Sequence, residues 1–415
     1  MSQSEAMNAD AKGASSWAAI DESAALDRFL ELTRIPGKSG DEAAISSAIQ
    51  KMLVRAGVDP DWIQSDDAGT KTRLDGNAGN LIVTLPGDDS LPRTLLSAHM
   101  DTVPICVGSN PQIRDDDELG RIVVADGPTG LGADDRSGCA VILSAIVERL
   151  SRQAKNPNLR LAPAAITFLI QEEVGLEGAR HLDVSKVGRV DRAFNFDGGA
   201  LDKIRHGAIG GERIQVTIHG HAAHAGVAPE KGVSAIVIAS EAISSLHRNG
   251  WLGLVEKDGR RGTANVGVFQ GGDATNVITP EVQLRAEARS HGAEFRAEIV
   301  SQMRAAIENA VQSVKGVQGR TGSFEFSSRV DYEAFRLAED HPSVLAATEL
   351  ISQLGRSPQC EVANGGLDAN WLMLHGIEAV TLGCGQASIH TVDEYLMVDE
   401  FLDACRLAAE LIAPV

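Results

Sequence analysis

No stretch of this 415-residue sequence is apolar for long enough to span a bilayer. The opening residues lack the basic, apolar and small-residue succession of a secretory leader, so a cytoplasmic protein is expected. Basic residues are in short supply. Against 57 Asp and Glu stand 38 Lys and Arg, a formal net charge of −19. That balance argues against nucleic acid or an anionic membrane as a partner. Cysteine is scarce and unpatterned. The five thiols (Cys106, Cys139, Cys360, Cys384 and Cys405) are odd in number and contain no Cys-x-x-Cys pair. Reduced thiols are expected in preference to disulfides or a zinc knuckle. Internal repeats and low-complexity blocks are missing as well.

What is present is the composition of a soluble globular protein, 43% hydrophobic and 23% charged. The chain is too long for one small core, so two domains are expected. Residues Met1 to Ser16 are small and polar without periodicity and read as a loose tail. Leu26, Phe29 and Leu30 mark a helix ending before Pro36-Gly37. Ser39-Gly-Asp-Glu42 has the spacing of a capping box. It would open a second helix carrying Ile45, Ile49, Met52 and Leu53 on one face. Strands follow at Leu81–Leu85 and Arg93–Ala98. The mixture of strands and amphipathic helices defines an α/β class.

Three places repeat one design, in which an apolar strand runs into acidic or histidine residues. Arg93–Ala98 leads into Ser97-Ala-His-Met-Asp-Thr-Val103. On an extended backbone His99 and Asp101 point the same way. Ala165–Ile170 ends in Gln171-Glu172-Glu173, and Arg192–Phe196 ends in Asp197-Gly-Gly. Ligands just beyond neighbouring strand ends are what open α/β sheets offer. A fourth segment, Gly127-Pro-Thr-Gly-Leu-Gly-Ala-Asp-Asp, is a glycine-rich turn entering a helix that continues to about Leu150. Such a loop could cradle phosphate, but no Gly-Lys-Ser/Thr follows and Asp134 and Asp135 would repel an anion. Either aspartate could also be a helix cap.

From about Gly211 the texture changes to strand, helix, two strands, helix and strand, the pattern of a ferredoxin-like unit. Domains are therefore expected at 1–210, 211–330 (inserted) and 331–415, where the first domain resumes. The returning segment contains Asn364-Gly-Gly-Leu-Asp-Ala-Asn370, Gly383-Cys-Gly385 and His390-Thr-Val-Asp-Glu394. Gly383 and Gly385 would let the backbone approach a substrate closely.

Collected, the strand ends offer His99, Asp134, Glu173, Asp197 and His390. Five nitrogen and oxygen ligands with one bridging carboxylate would hold two divalent ions and a shared water of lowered pKa. A spare carboxylate, for which Glu172 stands next to Glu173, would take the proton of that water and pass it to a leaving amine. A metal-binding scaffold without catalysis would have no use for such a base.

In that order, His-x-Asp, Gly-x-Gly-Ala-Asp-Asp, Gln-Glu-Glu, Phe-Asp-Gly-Gly and His-Thr-Val-Asp-Glu resemble the co-catalytic two-zinc exopeptidases. This family includes peptidase T, glutamate carboxypeptidase, aminoacylase and the succinyl-diaminopimelate desuccinylases. The likeness runs from Ala25 to the C-terminus and is nearest to peptidase T-like proteins. It implies an α/β catalytic domain with a mixed central sheet and an inserted ferredoxin-like lid and dimerisation domain. By motif, His99 and Asp197 would bind one zinc and Glu173 and His390 the other. Asp134 would bridge, a choice between the two aspartates that the residues alone leave open, and a cis peptide would follow it. Asp101 would orient His99, and Glu172 would be the general base and acid. Cobalt or manganese could occupy the same ligands.

In the inserted domain the resemblance gives His224 the stabilisation of an oxyanion across a homodimer. It makes Asn276 and Arg289 a substrate clamp, where sequence alone suggests a surface ion pair for Arg289. The implied activity is an aminopeptidase on short peptides. The alternative is a carboxypeptidase or N-acyl-amino-acid amidohydrolase with the same metal chemistry.

Overall fold

Runs that are apolar at every position, without polar alternation, belong in a sheet covered on both faces. Thr94–His99 and Ala164–Leu169 are buried along their whole length, and Arg192–Phe196 nearly so. The computed structural model describes residues 20–413, and the tail read at Met1 to Ser16 lies outside them. The described residues divide into two units, one of 20–204, 340–359 and 379–413, the other of 205–339 and 360–378.

In the first unit six strands are ordered Ile63–Ser65, Leu81–Leu85, Ala164–Leu169, Thr94–His99, Arg192–Phe196 and Ala379–Leu382. The last four are mutually parallel and the first two run antiparallel to their neighbours, so the sheet is mixed. Helix Ala133–Lys155, buried without a break from Ala133 to Ile146, lies over Thr94–His99 and Arg192–Phe196. It packs in turn against Glu22–Thr33 and Val398–Leu411, where the rings of Phe29 and Phe401 sit 5.7 Å apart. A small four-stranded sheet adds the hairpin Pro111–Asp116 and Gly120–Ala125 to Tyr395–Met397 and Gln386–Ala387.

The second unit contains an antiparallel sheet ordered Gly253–Lys257, Arg260–Gln270, Glu281–Ser290, Gly210–His219 and Ser323–Tyr332. Four of these strands and helices Ala235–Arg248 and Ala293–Ser313 make the expected ferredoxin-like arrangement, and Gly253–Lys257 is an additional edge strand. Alternate residues Ile214, Val216 and Ile218 face a core shared with Ile238, Phe295, Ile299 and Met303. The unit also takes in 360–378, which the sequence reading groups with the resumed first domain. The reason is polar as well as apolar. Asn370 donates to the carbonyls of Ile209 (3.0 Å) and Glu333 (2.7 Å), and the Trp371 indole to that of Asp331 (3.1 Å).

One expected element is built differently. The helix after Ser39 runs Ala43–Ala56, with Glu42 at its N-cap but no side-chain cap there. Ser39 donates instead to Asp101 Oδ2 at 2.7 Å, and Glu42 accepts the Gly40 and Gln171 amides at 2.9 and 3.1 Å. Asn77 Oδ1 takes the Ala43 amide. Residues of a nominal capping box are thus drawn toward the strand ends. Among the described residues, no helix is long and apolar enough to cross a membrane.

Phe168 is fully buried in the central sheet. Phe168→Ala is expected to lose about 3–5 kcal/mol of stability, measured by urea unfolding, and a loss below about 1 kcal/mol would contradict this packing.

Candidate active site and metal centre

Four parallel strands bring their C-terminal ends to one edge of the first unit. His99 ends its strand, Glu172 and Glu173 follow Ala164–Leu169, Asp197 follows Arg192–Phe196, and Gly383 follows Ala379–Leu382. Two further segments reach the same place by irregular backbone. Gly132, at φ 79°, starts a helix whose Asp134 and Asp135 are non-helical and joined by a cis peptide. His390 is itself left-handed, at φ 64°.

Asp134 lies between the two histidines. Its Oδ1 is 3.1 Å from His99 Nε2 and its Oδ2 is 3.2 Å from His390 Nε2. His390 Nε2 is also 2.8 Å from Glu173 Oε2, and His99 Nε2 is 3.8 Å from Asp197 Oδ1. On its other side, His99 Nδ1 faces Asp101, 3.3 Å from Oδ1 and 3.1 Å from the backbone carbonyl. A proton held there leaves the Nε2 lone pair directed at the carboxylates, the tautomer a ligand needs. Asp101 further accepts the amides of Glu172 (2.9 Å) and Glu173 (3.2 Å).

The titrations follow from this crowding. Burial would lower the pKa of His99, but its bonds to Asp101 and Asp134 carry it well above the ordinary range. Asp134 and Glu173 raise His390 to about 10. Burial, opposed by His390 and reinforced by the charge of Asp134, pushes Glu173 up to about 7. Asp134 itself is held well below the carboxylate range, since its bonds to His390 and His99 outweigh burial. Burial, with Asp197 adding to it, drives Asp135 well up.

Carboxylates outnumber imidazoles in this cluster, so added positive charge is needed to balance it. Two donor groups are close enough to supply a site: His99, Asp134 and Glu173, and His99, Asp135 and Asp197, each with ligand atoms within 4.8 Å of one another. Nitrogen and carboxylate oxygen suit a divalent ion such as zinc. The residues present therefore fit a pair of metal ions.

Sequence reasoning left several neighbours without a task. Asp135, read as a helix-start residue, does accept the Gly138 amide at 3.0 Å, but also the His99 amide at 3.1 Å. Gln386 donates to Asp197 at 3.3 Å. No spacing marks the contacts with His99 and Asp197, because they join segments distant in the chain.

The other predicted residues belong to the second unit. His224 is exposed, with Nδ1 accepting the Gly226 amide at 3.2 Å. Its segment pairs with that of Asn276, whose carbonyl accepts the Ala225 amide at 2.9 Å. Arg289 is partly buried and bonded twice to Glu287, Nε to Oε1 and Nη2 to Oε2, both at 3.1 Å.

The chain is also similar to known proteins. Residues 206–315 match a peptidase dimerisation domain and 80–213 match peptidase family M28. An uncharacterised Bacillus subtilis (strain 168) protein, YqjE, is 33% identical and spans 95% of this chain and 98% of its own. The crystal structure of a Staphylococcus aureus tripeptidase is similar with a TM-score of 0.83 and 30% identity, over 95% of this chain and 98% of that one. That of aminopeptidase PepT from Bacillus cereus gives 0.80 and 33% over the same shares.

Paired ligand groups at the ends of parallel strands make this a metal-dependent hydrolase. The fold and these likenesses go further, and the chain belongs to the two-zinc exopeptidase family close to peptidase T.

Asp134 and Glu173 raise the His390 pKa to about 10, and a histidine that bound a metal there would have to give up its proton. Its raised pKa stabilises the metal-free fold below the ordinary histidine range, a contribution lost as pH rises through about 10. Zinc uptake at pH 8 is expected to release protons, with apparent affinity climbing toward pH 10. Calorimetry in buffers of different ionisation enthalpy measures this, and heats that do not vary with buffer would contradict it.

Proposed function

We propose that the protein is an aminopeptidase that removes the first residue of short peptides such as tripeptides. The observation that carries the reading is the placement of Glu172. It stands beside Glu173 with its amide fixed by Asp101, and its charge acts on His99. The similarity to the tripeptidase and to aminopeptidase PepT, at 30% and 33% identity along 95% of the chain, supports the choice of substrate.

In this reading His99 and Asp197 would hold one zinc and Glu173 and His390 the other, with Asp134 available to both. Cobalt or manganese would suit the same donors. Two such ions, when bound, would supply a water of lowered pKa and a polarised carbonyl. Glu172 accepts the proton of the water and delivers it to the departing amine, a general base that becomes a general acid. Asp101 keeps His99 in its ligating tautomer and holds the Glu172–Glu173 turn. His224 donates to the developing oxyanion in the partner subunit of a homodimer formed through the 205–339 segment. Asn276 and Arg289 grip a substrate carboxylate. Glu287 occupies Arg289 Nε and Nη2, which aims the guanidinium and leaves Nη1 for that carboxylate. A cytoplasmic location agrees with five free thiols.

Two measurements test the proposal. Glu172→Ala is expected to reduce turnover by about 10²–10⁴-fold with metal content unchanged, and near wild-type turnover would sink the assignment of the base. Mass spectrometry on the zinc-loaded protein should show a free tripeptide losing its first residue while an N-acetylated tripeptide and an N-acyl amino acid stay intact. Cleavage of the blocked substrates would move the activity to a carboxypeptidase or deacylase.

A further inference from the structure

The segment His390-Thr-Val-Asp-Glu394 ends on a residue that the chemistry above does not use. Glu394 is 1% exposed, and a carboxylate so placed must be bonded to be tolerated. Its Oε2 accepts the Gly132 amide at 2.7 Å and its Oε1 the Asp134 amide at 3.1 Å. The Cys106 thiol points at Oε2 from 3.4 Å. These amides open the helix Ala133–Lys155, where backbone donors have no partners within the helix and Gly132 has no side chain to cap them. Asp134 is also the residue whose carboxylate lies between His99 and His390.

The two segments are seated closely. A Cβ at Gly130 would lie 2.8 Å from Cys106 Sγ, 2.9 Å from the Thr391 carbonyl and 3.2 Å from Glu394 Oε2. The Thr391 hydroxyl donates to the Ser388 carbonyl at 2.7 Å, which ties the left-handed turn around His390. One stretch of five residues therefore carries a histidine at one end and, at the other, the acceptor that grips the backbone of Asp134.

We propose that Glu394 is a positioning residue. By holding the Gly132 and Asp134 amides it fixes the separation of the Asp134 and His390 loops, and so the affinity of the metal pair. The inference rests on the two-metal reading of the site. It differs from simple helix capping in what it predicts. A cap would contribute to the fold alone, whereas a clamp between two ligand-bearing loops contributes to metal binding in a protein that is already folded.

The test is zinc titration by chelator competition, with thermal melting of the metal-free proteins alongside. Glu394→Ala is expected to weaken zinc binding about 10–100-fold, the usual effect of removing a group that supports a ligand. Glu394→Gln should fall between it and wild type, because one amide oxygen can accept one of the two N–H groups. Arg149→Met serves as the control. Arg149 is 2% exposed and donates to the carbonyls of Pro86, Ala162 and Ile412, so its loss should lower the Tm and leave zinc affinity unchanged. Wild-type zinc affinity in Glu394→Ala would overturn the clamp, as would an equal loss of affinity in Arg149→Met. Should Glu394→Ala fail to fold, wild-type affinity in Glu394→Gln overturns it equally. A wild-type protein that takes up fewer than two zinc ions overturns the two-metal reading, and the clamp with it.

Discussion

One buried carboxylate, that of Asp101, ties together three segments at the edge of the first unit's sheet. It faces His99 Nδ1, accepts the amides of Glu172 and Glu173, and takes the hydroxyl proton of Ser39. It is fully buried, and burial alone would raise its pKa, yet the bond to His99 keeps it below the usual range. The group is therefore charged because its surroundings are built to keep it so. Without it the orientation of a candidate ligand and the turn that presents Glu172 would lose a common anchor, and two buried amides would lose their acceptor.

Around that anchor the chain accepts electrostatic tension. Asp134 and Glu173 lie within reach of His99 on one side, and Asp135 and Asp197 on the other, in surroundings that push at least two of the four toward neutrality. Such a cluster is a poor way to stabilise a fold and a good way to hold divalent ions. The strongly apolar strands behind it supply the compensation. Their side chains are buried on both faces, so the backbone that ends in His99, Glu173 and Asp197 has little freedom to relax away from the cluster.

Much of this was legible in the sequence, for identifiable reasons. The runs at Ala164–Leu169 and Arg192–Phe196 read as buried strands because apolar residues dominate them, and the acidic residues after each stood out against that background. The ferredoxin-like unit was visible in the alternation of Gly210–His219 and in two long amphipathic helices. The choice of Asp134 over Asp135 needed the family likeness, since adjacent carboxylates differ only in where a bent backbone aims them. Ser39 and Glu42 misled because capping-box spacing describes a local bond, and a tertiary partner, Asp101 or Gln171, won each side chain. The hairpin at Pro111–Asp116 and Gly120–Ala125 escaped notice because much of it is exposed and polar. The placement of 360–378 turned on Asn370 and Trp371, whose carbonyl partners cannot be read from spacing.

The order of the parallel strands has a consequence for how the protein is made. The strand Ala379–Leu382 lies beside Arg192–Phe196 in the sheet, but in the chain the whole 205–339 segment intervenes. A ribosome therefore completes the second unit's sheet and its two long helices before it has translated the strand Ala379–Leu382 and the second histidine. Pairing across so long a separation is slow relative to local folding. Until it is done, the nascent first unit has Asp134, Glu173, Asp197 and one imidazole of the candidate site, and the second imidazole is still missing. A metal pair held by both histidines would then load late in biogenesis, after the inserted unit has had its chance to fold.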